Sequence, residues 1–168
     1  MAVTFPADII EQAERLLSFC RAEGLRVATA ESCTGGLIAA CLTEIAGSSD
    51  VVDRGFVTYA NEAKRDLLGV PDELLMSVGA VSEEVARAMA EGALARSDAT
   101  LAVAVTGIAG PGGGTAAKPV GLVHHACAGP GGALLHRRVV YAGDRGAVRL
   151  ATVATALDML IDGAERRT

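Results

Sequence analysis

Leu25-Arg26-Val27-Ala28-Thr29-Ala30-Glu31-Ser32-Cys33-Thr34-Gly35-Gly36 is the stretch that decides the fold. Leu25 to Ala30 is a short apolar run of the buried-strand type, and Leu37 to Ile45 repeats its apolar residues at helical spacing. Between them the glycines let the backbone turn sharply. Strand, tight turn and helix in that order make the basic unit of an α/β protein.

The same pattern continues outward. Upstream, Ile9, Ile10, Ala13, Leu16, Leu17 and Cys20 predict a helix that Gly24 closes. Downstream, Gly47-Ser48-Ser49-Asp50 is a loop, and Val51 to Tyr59 reads as a strand bent at Gly55. Asn61 to Leu68 suits a helix closed by Gly69, and Pro71 starts another in its first turn. Ser82 is placed to cap a helix, with Glu83 and Glu84 against the positive end of its dipole. Val85, Ala86, Met89, Ala90, Ala93 and Leu94 form its apolar stripe. Thr100 to Val105 reads as a buried strand and Thr106 to Lys118 as a glycine-rich loop. Val120 to Ala128 and Ala133 to Tyr141, joined by Gly129-Pro130-Gly131-Gly132, should pair as a hairpin. Asp144 can cap a last helix whose stripe runs from Val148 to Ile161. Early alternation of strands and helices with a late hairpin predicts a mixed, mostly parallel sheet with helices on both faces. The Ala-rich faces of residues 82–96 and 147–161 suit packing on the sheet or on a second subunit, and a homo-oligomer is expected.

The chain has 168 residues, which favours a single domain spanning 1–168. It has two Tyr, three Phe and no Trp, so Ala, Val, Leu and Ile must build the core. The net charge of −5 includes no basic arm, which argues against nucleic acid as a partner. An anionic substrate would need local donors that act against the overall charge. Cys20, Cys33, Cys41 and Cys127 form no C-x-x-C pair, so neither a zinc site nor any other metal or cofactor is expected. Met1 to Pro6 lacks the features of a signal peptide, and no apolar run of about 18 residues predicts a membrane span. Free thiols then suit a reducing cytoplasm.

Four segments can carry chemistry. In the first, Ser32 sits where a strand meets a helix, and free N–H groups of that helix can hold a phosphate or an oxyanion. The same residues serve equally as caps around a turn, and G-x-S-x-G is not present. The second, Thr106-Gly107-Ile108-Ala109-Gly110-Pro111-Gly112-Gly113-Gly114-Thr115, follows a strand, and its many N–H groups suit phosphate or carboxylate. It is neither a Walker loop nor a dinucleotide fingerprint, and a flexible surface loop reads alike.

In the third, Tyr59-Ala60-Asn61-Glu62-Ala63-Lys64, a desolvated Lys64 could act as base to a serine; an exposed helix-surface lysine is the plainer alternative. In the fourth, Arg145 and Arg149 stand one turn apart and could clamp an anion, or could be solvated charges. His124 and His125 are adjacent on a strand and so face opposite sides, while His136 can approach one of them. No carboxylate lies near them in sequence, and a catalytic histidine is not expected. Cys33 is either a reactive thiol or a small buried hydrophobe.

Ala30-Glu31-Ser32-Cys33-Thr34-Gly35-Gly36, Gly47-Ser48-Ser49, Tyr59-Ala60-Asn61 with Lys64, Gly79-Ala80-Val81-Ser82, Thr106 to Gly113, Lys118-Pro119-Val120-Gly121 and Gly143-Asp144-Arg145 with Val148-Arg149 together resemble the CinA C-terminal domain family. The order and spacing match from about residue 8 to residue 161. The resemblance implies a three-layer α/β/α fold and nicotinamide-nucleotide amidase activity, giving nicotinate mononucleotide and ammonia in pyridine-nucleotide salvage. It also implies Ser32 as nucleophile with Lys64 and Tyr59 beside it. Two departures are Ala60, where many members carry Ser, and His124, where many carry an aromatic or aliphatic residue.

On that basis neutral Lys64 is expected to take the Ser32 proton, directly or through the Tyr59 hydroxyl. The oxyanion is expected at Gly35 and Gly36 or at Gly107. Thr34, Asn61, Thr106, Gly110 and Gly112 join the substrate-binding set, with the phosphate on a glycine loop or on Arg145 and Arg149. The rivals are a nucleotide-binding or regulatory module without turnover, and an amidase or esterase of other specificity.

Overall fold

The structure, a computed structural model, describes residues 5–166. Met1 to Thr4, part of the stretch inspected for a leader, lie outside the described residues. In chain order the elements are α1 (Ala7–Glu23), β1 (Val27–Glu31), α2 (Leu37–Thr43), β2 (Val52–Val57), α3 (Asn61–Leu68) and α4 (Asp72–Val78). They continue with α5 (Glu83–Ala95), β3 (Leu101–Gly107), β4 (Leu122–Ala128), β5 (Leu134–Val140) and α6 (Arg145–Glu165). The strands form one sheet in the order β2-β1-β3-β4-β5. β1 is parallel to both β2 and β3, whereas β4 is antiparallel to β3 and to β5. β4 alone runs against the others, so the sheet is mixed as the sequence pattern predicts. No helix among the described residues is long and apolar enough to cross a membrane.

Period-two alternation sorts the side chains to two faces. Leu101, Val103 and Val105 of β3 join a core with Leu16 and Leu17 of α1, Ile38 of α2 and Leu157 of α6. Ala102 and Ala104 face the other way, against Val85, Met89 and Ala93 of α5 and Leu68 of α3. The apolar faces of α5 and α6 are therefore taken up by the sheet itself. Where α3 crosses α5, a Cβ on Gly92 would stand 2.1 Å from the Leu68 carbonyl oxygen, so this approach requires glycine.

The caps form where the residue types place them. Ser82 Oγ accepts from the Val85 N–H at 3.3 Å, and Asp144 Oδ1 accepts from the Ala147 N–H at 2.9 Å. Pro71 precedes α4 instead of lying in its first turn; its carbonyl accepts from the Leu74 and Leu75 N–H groups. The irregularity in the second strand also differs from expectation. It falls at Asp53, between the Val27–Val52 and Ala28–Arg54 pairs, while Gly55 stays in register opposite Thr29. The bulge delivers the Asp53 carboxylate to Arg26 at 2.9 Å and to the Asp98 N–H at 3.2 Å. Gly55 instead makes room: a Cβ there would lie 2.9 Å from Thr29 Oγ1 and 3.1 Å from the Ala39 methyl.

Candidate active site

Because β1, β2 and β3 are parallel, their carboxyl ends share one edge, where ligands sit in open α/β sheets. Ser32 follows β1, Tyr59 follows β2, and Thr106 and Gly107 end β3. They line a cavity of about 310 Å³ with Asn61, Lys64, Gly110, Gly112 and Arg145. The nucleophile, base and second-loop candidates are thus brought together from four separate segments.

Lys64 is buried, with 1 % of its surface exposed, which rules out the surface-lysine alternative. The Gly69 cap and the α3 start at Asn61 aim it inward beneath the cavity. Its Nζ stands 3.0 Å from Ser32 Oγ and bonds the carbonyls of Thr58 at 2.7 Å and Tyr59 at 3.4 Å. Burial pushes its pKa down to about 8. A neutral amine has two hydrogens and one lone pair. The two carbonyls can take the hydrogens, which leaves the lone pair facing the Ser32 hydroxyl. Cys33 is buried too, and desolvation pushes its thiol up to about 11, so it behaves as a small apolar side chain.

The expectation that the N-terminus of α2 offers free N–H groups is overturned. Glu31, fully buried, turns its carboxylate into that terminus and accepts from the Gly36, Ile38 and Ala39 N–H groups at 3.1, 3.0 and 2.8 Å. Gly35 N–H donates to the Ser32 carbonyl at 3.1 Å. Thr34 Oγ1 donates to Glu31 at 2.6 Å. Thr34, Gly35 and Gly36 therefore shape the turn from behind and do not line the cavity. Gly35 and Gly36 have φ of 58° and 103°, which the turn demands and which side chains disfavour. Sequence reasoning gave Glu31 no role. The available signal was an acidic residue at the end of a strand otherwise apolar enough to be buried.

The two arginines separate. Arg145 lines the cavity, donating to the Gly110 carbonyl at 2.9 Å and to the exposed Tyr59 hydroxyl at 3.1 Å. Arg149 is outside it, donating to the carbonyls of Cys33 at 3.2 Å and Thr34 at 2.9 Å. Its guanidinium braces the serine turn, so the pair does not form one clamp. The glycine-rich loop is anchored: Ile108 N–H donates to Leu122, Thr115 N–H to Lys118, and Lys118 Nζ to the Val78 carbonyl at 2.6 Å. Thr106 Oγ1 donates to the Ala80 carbonyl at 2.8 Å, tying β3 to the segment before α5.

The histidines lie outside this cavity. His124 Nδ1 stands 3.0 Å from His136 Nε2, and His136 stands 3.4 Å from Glu83, a carboxylate brought in from a distant part of the chain. His125, on the opposite face, stands 3.2 Å from the Tyr141 hydroxyl.

Comparison with known proteins gives a consistent result. The family model described as the CinA C-terminal domain matches residues 10–163. A CinA-like protein of Anaeromyxobacter sp. (strain K) is 53% identical over 150 residues, 89% of this chain and 36% of that protein. A nicotinamide-nucleotide amidohydrolase PncC of Enterobacter agglomerans is 53% identical over 137 residues, 82% of this chain and 84% of that one. The chain spans 25% to 36% of the length of several other curated relatives it matches. Among solved structures, the competence/damage inducible protein CihA of Agrobacterium tumefaciens superimposes with a TM-score of 0.93 at 62% identity, covering 95% of this chain and 97% of that one. A CinA superfamily protein of Escherichia coli gives 0.88 at 36% identity, covering 96% and 94%. With nearly its whole length matched in sequence and in fold, the chain belongs to the CinA C-terminal domain family.

Proposed function

We propose that this protein is an amidohydrolase that converts nicotinamide mononucleotide to nicotinate mononucleotide and ammonia through a Ser32 nucleophile. The observation that carries the reading is the 3.0 Å contact between Ser32 Oγ and a buried Lys64 amine whose pKa is lowered to about 8. Such an amine is neutral often enough near neutral pH to act as a base. The name of the Enterobacter relative supports the substrate class.

Lys64 takes the hydroxyl proton directly. Nζ reaches Ser32 Oγ at 3.0 Å, so a relay through the Tyr59 hydroxyl, which accepts from Arg145, is not required. Ser32 Oγ attacks the carboxamide carbon to give a tetrahedral oxyanion. Gly36 N–H is engaged by Glu31 and Gly35 N–H by Ser32. Cys33 lines the cavity, and its N–H is the turn donor assigned to that charge. Loss of one such donor costs about 10²-fold or more in rate. The Lys64 ammonium then protonates the leaving amine, ammonia departs, and water hydrolyses the acyl-serine with Lys64 again as base. Arg145 and the N–H groups of the Gly110–Gly113 loop hold the 5′-phosphate, offsetting the net negative charge of the protein. The buried, unpaired cysteines suit a reducing cytoplasm.

The test pairs calorimetric binding of nicotinamide mononucleotide with ammonia release from it, beside a panel of other amides and esters. Binding with stoichiometric turnover supports the proposal. Saturable binding without ammonia makes the protein a nucleotide-binding module, and turnover of another amide or ester alone reassigns its specificity.

A further inference from the structure

We infer that Glu31 is the positioning residue of the nucleophile: its buried carboxylate fixes the turn that aims Ser32 at Lys64, and it fills the anion seat of α2 so that substrate cannot bind there. The inference rests on Ser32 acting as the nucleophile.

Glu31 lies immediately before Ser32 and has none of its surface exposed. Its two oxygens accept five hydrogen bonds. Oε1 takes Thr29 Oγ1 at 3.2 Å and the Ala39 N–H at 2.8 Å. Oε2 takes Thr34 Oγ1 at 2.6 Å and the Gly36 and Ile38 N–H groups at 3.1 and 3.0 Å. Every partner is a donor to it, and three are backbone N–H groups that can do nothing else. A carboxylate, with an acceptor oxygen at each end, satisfies all three N–H groups where an amide cannot, and it sits at the positive end of the α2 dipole. Such bonds are shorter and roughly twice as strong as neutral ones.

The five bonds join the strand before Ser32, the turn after it and the helix beyond. The Ser32 N–H is held to the Val105 carbonyl at 3.1 Å and Arg149 holds the carbonyls of Cys33 and Thr34, so the nucleophile is fixed from three sides. A misplacement of about 1 Å at a reacting atom can cost about 10²-fold in rate. A helix N-terminus after a glycine turn ordinarily serves as a phosphate seat. Here the protein's own carboxylate holds it, and the substrate phosphate is left to the Arg145 side of the cavity.

Glu31→Gln tests this. An amide in either orientation sets its NH₂ against at least one backbone N–H, at Ala39 or at Gly36 and Ile38. Two rates are read on folded enzyme: ammonia release, and phosphonylation of Ser32 by an alkyl fluorophosphonate followed by mass spectrometry. Expected are losses of about tenfold or more in kcat and in labelling, with KM and calorimetric Kd for the nucleotide within about threefold of wild type. Thr34→Val removes the shortest bond and keeps the carboxylate, so it is the milder variant if Glu31→Gln does not fold, and it should slow both rates to a smaller extent. Rates within about twofold of wild type in a folded Glu31→Gln, or unchanged in Thr34→Val where Glu31→Gln fails to fold, overturn the inference. So does a loss confined to KM. The labelling rate keeps this outcome separate from the proposed function: if wild type labels at Ser32 but releases no ammonia from the mononucleotide, the substrate fails and Glu31 is still tested.

Discussion

The Nζ of Lys64 lies 3.0 Å from the Oγ of Ser32, 32 residues away in the chain, and the amine is buried at that point. One end of the contact is set by the turn after β1 and the other by the first turns of α3. Neither partner is reactive alone: an alcohol needs a base, and a lysine in water is protonated.

The first prediction concerns pH. Burial lowers the Lys64 pKa to about 8, so the amine is neutral above that value and charged below it. Ammonia release should rise with pH and reach half its plateau near about 8, and it should fall on the acid side as the amine gains its proton. Lys64→Arg should be as inactive as Lys64→Met, because a guanidinium stays protonated. A kcat/KM profile that is flat from about pH 6.5 to 9.5 would remove Lys64 as the base.

The arginines should separate kinetically as they do in space. Arg145 lines the cavity, so Arg145→Gln should raise KM about tenfold, the scale of one charge-assisted bond, with a smaller change in kcat. Arg149 holds the Cys33 and Thr34 carbonyls, so Arg149→Gln should lower kcat and leave KM nearly unchanged. Steady-state kinetics on the two variants decide this, and a common effect on KM would restore the single clamp.

The packing of α3 on α5 gives a stability prediction. Gly92→Ala places a methyl 2.1 Å from the Leu68 carbonyl oxygen, in backbone that has little freedom to give. It should destabilise the fold by about 1–3 kcal/mol, read as a shift in the urea midpoint. An unchanged midpoint would mean that α3 can move aside freely.

His125 bears on acid stability. Burial pushes its pKa down to about 4 from an ordinary 6.5, so the folded protein holds it neutral. As pH falls below 6.5 the unfolded chain takes the proton first, and stability declines until about pH 4. His125→Phe keeps a ring in the site and removes the titration; Tyr141 still donates to Thr155 Oγ1 at 2.6 Å. The variant should lose less stability than wild type over that window in urea titrations. Equal losses would place the acid sensitivity elsewhere, in groups such as Asp53 whose carboxylates sit below their ordinary range beside arginines.

Much of this was legible in the chain because local rules fix it. The helix from Asn61 to Leu68, its Gly69 cap, the Ser82 and Asp144 caps and the Gly129–Gly132 hairpin all follow from short-range chemistry. The gathering of Ser32, Lys64, Thr106 and Arg145 follows from parallel strands ending on one edge. Non-local contacts were not legible. That Arg149 turns to the Cys33 and Thr34 carbonyls and away from the cavity depends on how α6 crosses the serine turn. That Glu31 closes the α2 terminus depends on its side chain folding back on its own turn, where spacing suggested an open anion site. The bend assigned to Gly55 failed for a similar reason: glycine marked a close approach by Thr29 and Ala39, while the bulge formed at Asp53 to meet Arg26.

The central claim is that Ser32 is the nucleophile, and Ser32→Ala tests it directly. The variant removes one oxygen atom from a turn still held by its backbone bonds, by Glu31 and by Arg149, so it should fold and bind nicotinamide mononucleotide with near wild-type affinity. Ammonia release, measured at saturating nucleotide and at a pH above about 8 where Lys64 is neutral, should fall to background. Turnover equal to that of the wild type would contradict the account.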